Sequence, residues 1–110
     1  MADNLRIYDY DPSPKLLAKL TLDLKARTIS ADGNYRLVVV SGRDALSNLA
    51  RKTEREIFDK AFGDITPHTP EVMHELYGED EDNSIFFMVY AQDSFEVVGV
   101  MRLILSLIHI

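Results

Sequence analysis

The chain has 110 residues, of which 46% are hydrophobic, carries a formal net charge of −6 and contains no cysteine. Its length suits one small domain with a core, and its acidic balance argues against non-specific binding to nucleic acid or to an anionic membrane surface. Without thiols there is no disulfide framework, no thiolate nucleophile and no cysteine zinc site. The opening M-A-D-N-L-R-I-Y-D-Y lacks the basic-then-apolar order of a signal peptide, and no run is long enough to span a bilayer, so a cytoplasmic protein is expected.

Residues 1–34 read as an N-terminal extension. Within it, Ser13-Pro14 offers an N-cap followed by proline at the first helical position, and Leu16, Leu17, Leu20 and Leu24 recur at helical spacing. This predicts a helix over 14–26, although Leu20, Leu22 and Leu24 also alternate as in a strand. Ala31-Asp32-Gly33-Asn34 reads as a turn.

Tyr35 to Val40 is β-branched and almost continuously apolar, which suits a strand covered on both faces. It runs into Ser41-Gly42-Arg43-Asp44, where Ser41 can cap a helix and Asp44 stands near the positive end of its dipole. A helix over 43–62 follows, with Leu46, Leu49, Ala50, Thr53, Ile57 and Ala61 as its buried face, widened by Phe58 and Phe62. Its outer side pairs Lys52 with Glu56, Arg55 with Asp59 and Glu56 with Lys60 at i, i+4. After Gly63 and a two-proline loop, Thr69-Pro70-Glu71 starts a helix over 70–77, which buries Val72, Met73, Leu76 and Tyr77 and stops at Gly78.

E-D-E-D-N, Glu79 to Asn83, reads as a solvated acidic connection. Ser84 to Ala91 is a second buried strand, Gln92 to Glu96 a hairpin turn, and Val97 to Ile104 the returning strand. The order is (α)-β-α-α-β-β: an α/β fold with a mixed sheet whose last strand still lacks a neighbour.

Metal chemistry finds little support. His68 and His74 lack the H-E-x-x-H spacing, and the acidic loop lacks the glycine and the bidentate glutamate of a calcium loop. Gly42 opens a helix after a strand, where an anion could sit, but a capped helix start explains it better. Arg102 stands out, because it sets a permanent charge among Val98, Val100, Met101 and Leu103. It needs a route to solvent, a neighbouring carboxylate or an acidic substrate to orient.

Taken together, the element order, R-K-T-E-R-E-I-F-D-K-A-F-G in the long helix and F-F-M-V-Y-A…V-V-G-V-M-R-L-I in the hairpin resemble the N-terminal half of the GNAT acyltransferase superfamily. The likeness is greatest to its acyl-homoserine-lactone synthase branch, whose G-x-x-R-L pattern matches Gly99, Arg102 and Leu103. Arg55 and Phe58 stand one residue closer than that branch's spacing and there is no tryptophan, so the resemblance points to a general N-acyltransferase.

The resemblance implies an incomplete GNAT-like fold over 35–104. It also implies acyl transfer from acetyl-CoA or another acyl-CoA to a small-molecule or peptide amine. The pyrophosphate-binding turn would follow Ile104, and Phe58, Phe62, His68, Tyr77 and Arg102 would lie on the acceptor-substrate side. Leu105 to Ile110, L-S-L-I-H-I, resembles a translated sequencing-library adapter. On that reading the genuine sequence stops near Ile104 in a longer, active parent, His109 carries no chemistry, and the open edge of 97–104 favours self-association. The alternative is a non-enzymatic acidic α/β module that binds a partner through its acidic loop and sheet edge.

Overall fold

A computed structural model describes residues 8–105; positions 106–110, most of the adapter-like segment, lie outside the described residues. Helix α1 spans Pro14–Asp23, α2 Ser47–Phe62 and α3 Pro70–Tyr77; strands are β1 Thr28–Asp32, β2 Tyr35–Ser41, β3 Ser84–Ala91 and β4 Val97–Ile104. The strands form one sheet in the order β1-β2-β3-β4, every neighbour antiparallel. The expected mixed strand directions are therefore corrected to antiparallel, and β1 is an additional strand. No helix among the described residues is long and apolar enough to cross a membrane.

The helix starts follow their caps. Ser13 Oγ accepts from the Leu16 amide at 3.2 Å, and Thr69 Oγ1 accepts from that of Val72 at 3.2 Å, each ahead of a proline that has no amide to satisfy. α1 is shorter than expected because the chain tightens into a 3₁₀ turn over Lys25–Arg27. α2 starts at Ser47, not at residue 43. Ser41 caps a turn instead, accepting from the Arg43 amide at 3.1 Å, and Asp44 Oδ1 takes the Leu46 amide at 2.9 Å.

β1 turns into β2 through Gly33-Asn34, with a positive φ of 59° at Gly33. Leu20 and Leu24 of the first 34 residues join Val38, Val40, Leu46, Leu49, Ala50, Phe86, Met88 and Tyr90 in one buried core. Each fully buried side chain of this kind stabilises the fold by roughly 1.5–3 kcal/mol.

That core lies on one face of the sheet. The register sets Leu37 opposite Val89, Val39 opposite Phe87, Phe87 opposite Met101 and Ile85 opposite Leu103, all on the other face. Met101 and Leu103 are 57% and 45% exposed there. β2 is thus covered by helices on one side, not on both as its sequence suggests, and β4 has an unpaired edge among the described residues.

Gly42 tests this packing. A Cβ there would run into the Glu81 carbonyl oxygen and lie 3.1 Å from that of Ser84, whereas one at Gly33 would meet nothing. Gly42→Ala is expected to cost about 3 kcal/mol from overpacking, and Gly33→Ala about 1 kcal/mol from its left-handed backbone alone. Urea midpoints of the two variants check the ranking, and the reverse order would contradict this packing.

Candidate functional site

One flank of α2 buries polar groups. Ser47, Arg51 and Glu54 follow one another at i, i+4 and i+7, a single helical stripe, and all three are buried. The expected apolar face is rotated accordingly: Leu49 and Ala50 are buried, but Ile57 is 46% exposed. Lys52 and Glu56 pair at 2.8 Å, whereas Arg55 donates to the Tyr10 carbonyl at 3.0 Å and approaches Asp11 instead of Asp59.

Arg51 reaches Glu81 Oε1 through Nε at 3.0 Å and through Nη2 at 2.9 Å, and also donates to the Gly42 carbonyl at 2.9 Å. Glu81 comes from the acidic stretch, which forms a 3₁₀ turn over Gly78–Asn83 and buries this carboxylate completely. The expectation of a wholly solvated connection fails here. Its Oε2 accepts from the Tyr10 hydroxyl, which brings the N-terminal segment into the cluster.

Arg102, opposite Phe86 across the β3–β4 ladder, completes the network. It forks onto Glu54, with Nε to Oε2 at 3.0 Å and Nη2 to Oε1 at 2.8 Å. Nη1 donates to Glu81 Oε1 at 3.0 Å and to Ser84 Oγ at 2.9 Å, and Nη2 also meets the Tyr10 hydroxyl at 3.4 Å. A guanidinium has five N–H donors, and all five are engaged. The Tyr77 ring covers its plane at 3.9 Å, and the Phe86 ring lies against both cations, 4.5 Å from Arg102 and 5.1 Å from Arg51. Two guanidinium ions face two carboxylates, so the cluster is neutral as a whole, which makes its burial tolerable.

The titration behaviour follows from these contacts. Burial pushes Glu81 up, but the hydrogen bond and charge of Arg51, then Tyr10 and Arg102, outweigh it and hold the carboxyl below its usual range. Burial, then the Glu81 carboxylate, raises the Tyr10 phenol far above its usual value. Burial also raises Tyr77, reinforced by Glu54 and opposed by Arg102. For Arg102, burial lowers the pKa, but Glu54 and Glu81 more than offset it and raise it overall.

In front of this cluster lies a cleft of about 350 Å³, walled by Ile57, Phe58, Val100, Met101 and Ile104, with Glu54, Tyr77 and Arg102 also in its lining. Of the residues expected at a site, Phe58, Tyr77 and Arg102 meet here. Phe62 and His68 are outside this lining. They meet Phe58 in a tilted and edge-on aromatic group, with centroids 6.4 Å (Phe62) and 5.6 Å (His68) from Phe58. Sequence reasoning missed Tyr10, Arg51, Glu54 and Glu81. Charges on the buried stripe of α2, together with an arginine in an apolar strand, were the available signal.

The glycine turn between β2 and α2 does not fit the pyrophosphate of coenzyme A. Its amides are spent within the turn and on β3: Gly42 donates to the Ser84 carbonyl at 2.7 Å and Asp44 to that of Ser41 at 2.9 Å. The Asp44 carboxylate also occupies the helix start.

Glu81→Gln would leave two buried guanidinium ions short of one negative charge, an expected loss of roughly 3–5 kcal/mol. The lowered Glu81 pKa makes its contribution complete above the ordinary range near ~4.3 and lost as pH falls through the folded value. The raised Tyr10 pKa acts in the opposite sense: stability is full below about pH 10 and declines as pH rises further. Urea midpoints across pH should show both limbs, with Tyr10→Phe flattening the alkaline one; an unchanged alkaline limb in that variant would rule out this role.

No family model, curated protein or solved structure matches this chain, so its functional reading rests on the geometry of the cleft.

Proposed function

We propose that the chain forms the acceptor side of a GNAT-like N-acyltransferase, in which the cleft beside β4 holds a small-molecule or peptide amine for acylation from an acyl-CoA. The observation that carries this reading is the cleft itself, which runs along the open edge of the strand bearing Gly99, Arg102 and Leu103. Because every N–H of Arg102 is already engaged, the cleft offers no free fork for a carboxylate. Its walls are apolar and the charges in its lining, Arg102 and Glu54, are spent on each other, which favours an uncharged guest, and a neutral amine is the nucleophilic form that acyl transfer requires. The donor's site is not assigned to the described residues.

Amide NMR titration with butylamine and with a short peptide amine tests the reading. Signals of Tyr77 and Val100 should shift saturably, and affinity should increase as pH rises toward the amine's own pKa. Phe58→Ala should weaken binding about fivefold, equivalent to ~1 kcal/mol of lost ring contact, without changing the fold. Binding that weakens with rising pH, or is indifferent to Phe58→Ala, would refute it.

A second reading, an interaction module, is favoured by the open apolar face carrying Phe87, Met101 and Leu103 next to the free β4 edge. It predicts concentration-dependent self-association by light scattering, reduced by Met101→Lys. A monomer at all concentrations would dispose of it.

A further inference from the structure

At the opposite end of the strands from Arg102, a concavity of about 460 Å³ is lined by Lys25, Thr28, Arg36, Tyr90, Gln92 and Phe95. Its arginine is unusual among those of the described residues. Arg27, Arg43, Arg51, Arg55 and Arg102 each have a carboxylate within ion-pair distance. Among the described residues Arg36 has none. Its Nη1 is held by the Gly33 and Tyr35 carbonyls at 2.7 and 3.0 Å, and its Nη2 by Gln92 Oε1 at 3.3 Å. Nε and one Nη2 hydrogen are unspent. Lys25 also makes no ion pair with the described residues. Because Gln92 uses its amide oxygen toward Arg36, its NH₂ group is left as a donor. The concavity therefore combines two uncompensated cations with an amide donor, in a protein whose net charge is −6.

Its aromatic wall is held by an unusual backbone. Phe95 has a φ of 58°, a left-handed conformation in which glycine would be unstrained. The ring stacks on Tyr90 with centroids 5.7 Å apart and planes 12° apart, yet Phe95 remains 37% exposed. Tyr90 is fixed in turn. Thr28 donates its only hydroxyl proton to the Leu24 carbonyl at 2.9 Å, so the 2.8 Å contact between the two hydroxyls has Tyr90 as donor.

We propose that this concavity binds a small anion that carries a planar ring. Lys25, Arg36 and the Gln92 amide take the negative group, and the exposed face of Phe95 takes the ring. The site is independent of the amine cleft and does not rest on the acyltransferase reading.

Amide NMR titration with benzoate, with benzamide as its uncharged counterpart and with acetate as an anion without a ring, tests both halves of the recognition. Benzoate should shift Gln92 and Phe95 saturably, and benzamide and acetate should bind about tenfold more weakly, the weight of one charge-assisted hydrogen bond or ring contact. Arg36→Gln and Phe95→Gly should each weaken benzoate by a similar factor. Phe95→Gly also relieves the left-handed backbone, so its urea midpoint should stay level or rise, which separates lost binding from lost folding. No saturable benzoate binding, equal binding of benzamide or acetate, or unchanged affinity in Phe95→Gly would overturn the proposal.

Discussion

The Glu81 carboxylate between Arg51 and Arg102 is the constraint that the rest of the structure obeys. Arg51 belongs to α2, Arg102 to β4 and Tyr10 to the N-terminal segment, so one buried anion ties three parts of the chain that share no local sequence. The apolar core supplies most of the free energy of folding, since a buried ion cluster roughly balances desolvation against attraction. What the cluster adds is register. A one-residue slip of β4 against β3 would turn Arg102 onto the far face with Ile85 and Phe87, bring Leu103 onto the core face and leave Glu54 without its arginine. Gly42 serves the same constraint, because only a residue without a side chain lets the β2–α2 turn lie against the Glu81 backbone.

The sequence was most readable where one residue type decides the local geometry. Ser13-Pro14 and Thr69-Pro70 mark helix starts that the structure keeps, and the β-branched and aromatic runs of β2, β3 and β4 are strands. β1 escaped because Ala31 and Asp32 read as part of the turn, which leaves an alternation of only Ile29 and Ala31 in a strand that buries none of its residues and joins the sheet through backbone pairing with β2. The start of α2 was read four residues early because Ser41 and Asp44 have the chemistry of caps but spend it on a turn.

The site was half legible for a different reason. Arg102 announced itself, as a permanent charge in an apolar strand must have a partner. Its partners did not: Glu54 and Glu81 lie 48 and 21 residues away, and nothing local distinguishes Glu81 from Glu79 or Asp82. Periodicity weighs apolar residues, so the stripe of Ser47, Arg51 and Glu54 reads as a solvent face until tertiary pairing reverses it. Phe62 and His68 were set beside Phe58 on the acceptor-substrate side by the resemblance, and their rings do meet that of Phe58, but neither lines the cleft.

The contrast between Arg102 and Arg36 separates structural from available charge. Each is an arginine on the sheet, but one has five engaged donors and two carboxylate partners, and the other keeps unspent donors and only neutral acceptors. A ligand that approached Arg102 head-on would have to displace a bidentate carboxylate and strand it in a buried site, a cost of several kcal/mol. The same ligand at Arg36 would displace nothing and would neutralise a charge that the fold leaves open. The charge still available to an anion therefore lies at the Phe95 end of the sheet, while the Arg102 end spends its donors on holding its own geometry fixed.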